Sequence, residues 1–157
     1  MTDKLATLNE MKVLNGTDFS IYDYMFYVCS SIDLSLETVE SLANLICPDF
    51  FKVDGVLLNE FLYKLGRYED SLKYGKTKSE AQYWSNLLII NSLFPNVIEF
   101  EELCEIGIFI AARWNAVIVA RCDDGARARM LCDAESGEVC ISVFASDRDS
   151  ELASHDD

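Results

Sequence analysis

The sequence predicts a single α+β domain, and three observations carry that reading. Two long segments with helical apolar spacing fill much of the C-terminal half, closed by Pro95 and Gly125. Two pairs of short apolar runs, at about 50–61 and 127–145, each surround a turn signal and read as β-hairpins. Helical and strand segments are grouped rather than strictly alternating, which separates α+β from a parallel doubly wound sheet. The domain is expected over 18–145, with a flexible N-terminal lead-in at 1–17 and a disordered acidic tail at 146–157. At 157 residues the chain is long enough to bury roughly 70% of its unfolded surface without metal or disulfide staples.

Residues 1–17 are mixed and polar and end at the turn-like pair Asn15-Gly16. Phe19 to Ser30 is rich in aromatics; its spacing suits helix and strand about equally, and helix is preferred. Ser35 can cap the next segment, with Glu37 near the positive helix end. There Leu36, Val39, Leu42, Ala43 and Ile46 recur at helical spacing, and Pro48 forces a stop because the residue before proline leaves the α region. Asp54-Gly55 then lies between apolar runs, the signature of a type I′ turn with positive φ at both central positions. A helical turn around Asn59 to Leu65 follows.

Residues 62–78 are the only basic stretch: Lys64, Arg67, Lys73, Lys76 and Lys78 against Glu69 and Asp70, a local +3 on a chain of −14. Gly66 and Gly75 make it loop-like, with room for a short helix between them. Thr77-x-x-Glu80 reads as a capping box opening a helix from about Ser79 to Phe94 that would bury Trp84, Leu87, Leu88 and Leu93. Glu99 to Cys122 is the strongest helix. Its acidic first turns and Arg121 at its end suit the macrodipole, and Ile106 to Ala120 is apolar on nearly every face, as in a central helix packed on several sides. In the last hairpin Val139, Ile141 and Val143 share one face and Ser142 the other. Whether the two hairpins join into one sheet is left open.

The charge, 27 acidic residues against 13 basic, argues against direct binding to a nucleic-acid backbone. The N-terminal residues lack the basic and continuous apolar regions of a secretory signal. Leu103 to Cys122 carries Glu105, Arg113, Asn115 and Arg121, so it reads as a buried helix, and the expectation is a soluble, cytoplasmic protein with no membrane contact. The six cysteines form no C-x-x-C pair; with apolar neighbours they read as buried free thiols, and Cys132 and Cys140, flanking the second turn, are the pair placed to meet.

Little catalytic equipment is present. The sole histidine, His155, lies in the expected tail, which removes histidine triads, and no phosphate-cradling glycine motif occurs. Cys122, between Arg121 and Asp123, is the nearest approach to an activated thiol. Glu101 and Glu105 share a helix face one turn apart, the spacing of a carboxylate dyad or a hard-metal site, but also of a solvated helix start. Asp123-Asp124-Gly125 resembles a fragment of a calcium loop whose further ligands are missing. Trp84 and Trp114 have core-like spacing, and Tyr63, Tyr68 and Tyr74 interleave with the basic stretch as base-stacking residues would. No catalytic residue, metal ligand or cofactor is assigned.

The function expected on these grounds is non-catalytic: an acidic protein that binds and inhibits a basic protein partner, a toxin or an enzyme, in the manner of an immunity protein. The contact residues would be the acids at the start of the long helix, Glu99, Glu101, Glu102 and Glu105, and those past its end, Asp123 and Asp124. A dimeric acidic secretion chaperone and a carboxylate or metal-dependent enzyme are the alternatives. A homodimer is compatible with either binding reading.

Overall fold

The computed structural model describes residues 5–32, 34–63, 66–97, 99–122 and 125–145. It has the expected α+β class, and its contacts divide the chain into two compact units between Ser41 and Leu42.

Three short helices occupy the first unit and the start of the second: α1 (Leu8–Asn15), α2 (Ile21–Ser31) and α3 (Leu36–Ile46). Helix α1 lies inside the stretch read from sequence as a lead-in. Its start is a capping box that this reading passed over: Glu10 N–H donates to Thr7 Oγ1 at 3.2 Å and Thr7 N–H to Glu10 Oε2 at 2.6 Å. The aromatic segment is helical, as preferred. Ser20 and Asp23 form a second capping box, with Asp23 N–H on Ser20 Oγ at 3.2 Å and Ser20 N–H on Asp23 Oδ2 at 2.8 Å. Ser35 Oγ accepts from Thr38 N–H at 3.2 Å, and α3 stops at Ile46, two residues before Pro48. No residue of α1, α2 or α3 is buried.

From Leu42 onward the chain builds two separate antiparallel sheets. In the first, β1 (Phe50–Val53) pairs with β2 (Val56–Asn59), closing on Val53↔Val56. Asp54 at φ 53° and Gly55 at φ 86° supply the two positive φ values of the type I′ turn. Then come α4 (Glu60–Tyr63), α5 (Arg67–Lys73) and α6 (Lys78–Ser85), the last opened by the Thr77–Glu80 capping box. The second sheet has the order β3 (Leu88–Ile89), β5 (Glu138–Phe144), β4 (Arg127–Asp133). Helix α7 (Ile90–Leu93) follows β3, and α8 (Phe100–Arg121) packs on β4 and β5.

The helix expected over Ser79 to Phe94 is therefore broken: helix stops at Ser85, strand intervenes, and one helical turn follows. The cause is Asn86. It is fully buried, its Oδ1 accepts Asn59 N–H at 2.7 Å, and its Nδ2 donates to Leu57 O at 2.9 Å. Those tertiary bonds hold the chain where a helix would otherwise continue. Leu88 and Ile89 then pair with Ile141 and Cys140 of β5. Leu88 is buried as expected, whereas Trp84 and Leu93 are exposed.

The main core lies between α8 and the second sheet, with Ile110, Trp114 and Ile118 against Val139, Ile141 and Val143. Trp114 donates its indole N–H to Leu45 O at 2.8 Å, tying the end of α3 into this core. Gly107 lets the helix approach the hairpin: a Cβ there would lie 3.0 Å from Met130 Cγ and 3.1 Å from Val139 Cγ1. Helix α8 is not buried all round. Only Leu103, Gly107, Ile110, Ala111, Trp114 and Ile118 are buried, and at helical spacing they form one stripe. By length and composition α8 would also suffice to cross a membrane, a test that core helices of soluble proteins pass as well.

Candidate functional site

The solvent side of α8 assembles a candidate binding surface. Because the helix rests one stripe on the sheet, the residues between those positions turn outward. Ile108, Phe109 and Val119 are 57%, 48% and 60% exposed, large values for apolar side chains on an otherwise well-packed helix. The small residues Ala112 and Ala116 lie between Phe109 and Val119, Ala120 follows, and all three are exposed too. The Arg113 guanidinium sits 5.1 Å from the centroid of the Phe109 ring, a cation–π contact that steadies the ring where it stands.

The predicted acids frame this ridge at one end. Glu99 is the N-cap residue, Glu101 and Glu102 stand in the first turn, Glu105 follows one turn on, and all four are exposed. Their carboxylates form no hydrogen bond or ion pair among the described residues, so their charge is directed at solvent next to the positive helix end. At the other end Arg121 pairs with the Asp49 carboxylate and its charge is neutralised there. Asp123 and Asp124 lie outside the described residues, and so does the expected tail at 146–157. The result is a surface that is anionic over its first turns and apolar beyond them. Sequence reasoning named the acids and passed over Ile108, Phe109 and Val119; the available signal was the excess of apolar residues over what one packing face needs.

Other candidates fare differently. No group of three or more His, Cys, Asp or Glu side chains is placed to hold a metal ion among the described residues. The tyrosines of the basic stretch do not form a stacking row: Tyr68 is buried, Tyr63 donates its hydroxyl to Glu69, and only Tyr74 stands out in solvent. Of the two tryptophans Trp114 is core and Trp84 is surface. All six cysteines are free, as expected, but Cys29, Cys47 and Cys132 are exposed and only Cys140 is buried. Cys132 and Cys140 point to opposite faces of the hairpin, since Cys132 pairs with Val139 and Cys140 with Leu131. The thiol next to Cys132 is Cys104 of α8, and burial, then the neighbouring Cys132, pushes the Cys104 thiol up from its ordinary value.

Comparison with protein-family models, with curated proteins and with solved structures finds no match in any of the three, so the functional reading rests on the surface itself.

Proposed function

We propose that this chain is a non-catalytic binding protein whose α8 outer face docks a basic protein partner, and that occlusion of the partner's own cationic site is its inhibitory effect. The observation that carries this reading is the pairing of an exposed apolar ridge with four exposed carboxylates at the start of the same helix. Apolar side chains supply affinity once water is excluded, and the carboxylates speed encounter and select a cationic surface. Charge of −14 extends that field over the whole protein.

The test is capture on the immobilised full chain from a native lysate in rising salt, comparing wild type with Phe109→Ser and with Glu101→Gln, Glu102→Gln and Glu105→Gln combined. All these positions are exposed, so the fold is retained. A basic protein held by wild type at low salt, released as salt rises and lost by both variants is the expected result. Retention that ignores both variants, or capture by lipid vesicles in place of protein, would contradict it.

A further inference from the structure

We propose that Cys104 of α8 and Cys132 of β4 form a reversible disulfide, a modification site that ties the first turns of the long helix to the edge strand of the second sheet. Both thiols are free in this structure, Cys132 exposed and Cys104 partly buried.

The periodicities of helix and strand bring them together. Residues 128, 130 and 132 share one face of β4. Asn115 of α8 holds the first of them: its Oδ1 accepts from Ala128 N–H and its Nδ2 donates to Ala128 O, each at 2.8 Å. Gly107 meets the second, where a Cβ would stand 3.0 Å from both Met130 Cγ and Met130 Sδ. Moving back along α8 is therefore moving forward along β4. Cys104 lies one turn before Gly107 on the same side of the helix, so it falls against the third residue, Cys132, as its hydrogen-bonding neighbour. A disulfide needs its two Cα atoms within about 7 Å, and a glycine one turn away is what lets helix and strand backbones approach.

The two sulfurs take different roles. Cys132 is open to a reagent. Burial first, then the neighbouring Cys132, holds the Cys104 thiol above its ordinary value, so Cys104 stays protonated and does not attack first. The oxidant is a low-molecular-weight disulfide. The Cys132 thiolate attacks one of its sulfurs, the S–S bond breaks, one small thiolate leaves, and a mixed disulfide remains on Cys132. Cys104 then loses its proton to solvent and attacks the Cys132 sulfur, and the second small thiolate leaves. Two protein thiols are oxidised, and one small disulfide is reduced to two thiols that take up the two protons.

The surroundings favour this pairing over the other uses of a thiol. Among the described residues no third His, Cys, Asp or Glu joins the pair to complete a metal site. Cys140, the other thiol of the hairpin, is buried and belongs to the opposite face. The pair stands whether or not α8 docks a partner, since neither sulfur belongs to the exposed apolar ridge.

The test treats the reduced, folded full chain with glutathione disulfide, blocks the remaining thiols by alkylation and maps the linkages by peptide mass spectrometry. Wild type should lose two hydrogens and yield the Cys104–Cys132 linkage. Cys104→Ser should stall with one glutathionyl group on Cys132, and in Cys132→Ser the Cys104 thiol should react about tenfold more slowly than Cys132 does in Cys104→Ser. Oxidation of wild type should raise the melting temperature by about 5 °C or more, and dithiothreitol should reverse the rise. A wild type that stalls at the mixed disulfide as Cys104→Ser does, a linkage from Cys132 to any other cysteine, or a Cys104–Cys132 bond that forms only after unfolding in urea would each overturn the proposal.

Discussion

The helices up to Ser41 and the elements from Leu42 onward follow the same apolar periodicity and come to different ends. In the first region Val13, Tyr22 and Phe26 are 85%, 78% and 71% exposed and no described residue is buried. In the second, Trp114, Ile110 and Ile118 close a core with Val139, Ile141 and Val143. Helices of this length are marginal alone, so α1 and α2 are held chiefly by their capping boxes, each contributing about 1 kcal/mol, whereas α8 is held by what it covers. A helical stripe in a sequence specifies a helix; it does not specify what the stripe will touch.

The largest effect expected from that contrast is at Trp114. Trp114→Ala removes a fully buried indole and leaves Leu45 O without its donor, and should cost about 3–5 kcal/mol in denaturant unfolding. Phe26→Ala, a comparable loss of ring in α2, should fall within about 0.5 kcal/mol. Similar costs at the two positions would break the comparison.

Asn86→Ala should come next, at about 1–3 kcal/mol, because Asn59 N–H loses its acceptor in a buried place. Leu57 O keeps the Gln82 amide at 3.2 Å, which limits the damage. A cost near zero would mean that the break in the long helix has another cause.

A smaller effect of opposite sign is expected at Tyr68. Its hydroxyl is the one buried side-chain polar atom without a partner among the described residues. Tyr68→Phe should leave stability unchanged or raise it by up to about 1 kcal/mol, read as an increased melting temperature. A clear loss would point to a hydrogen bond that the hydroxyl makes.

The smallest effects separate the two regions by pH. Burial holds the Tyr68, Tyr83, Cys104 and Cys140 groups above their ordinary values, and the bond to Glu69 does the same for Tyr63. Each favours the fold while protonated, so that stability is present below the ordinary value and lost as pH rises through the raised one. Asp23 is held down by Ser20, and Glu37 by its own backbone N–H and then Ser35. Their contribution is present above the ordinary carboxylate value and lost as pH falls through the lowered one. Asp133, held down by Ser136, adds the same acid sensitivity at the β4–β5 turn. Residue-resolved hydrogen exchange should therefore show the core loosening first at alkaline pH and the caps of α2 and α3 at acid pH.

What the sequence disclosed was whatever short-range chemistry decides. Asp54-Gly55, Pro48 and Thr77-x-x-Glu80 each act within a few residues, and the turn, the helix stop and the helix start they predict are present. The break after Ser85 was not legible because it depends on Asn86 reaching a strand 27 residues earlier. At the candidate surface the acids of α8 were legible from their clustering. The exposure of Phe109 was not, since an all-round apolar helix reads as a buried one until its packing partners are known.

The most direct test of the account places a photoreactive side chain at Phe109 and, as control, at the equally apolar and more exposed Val13, with irradiation of intact cells. The account predicts a discrete adduct with a basic protein from position 109, absent from position 13 and lost when Glu101, Glu102 and Glu105 are changed to glutamine. The same set of adducts from both positions would contradict it, because exposed apolar surface alone, and not the α8 face, would then explain the contacts.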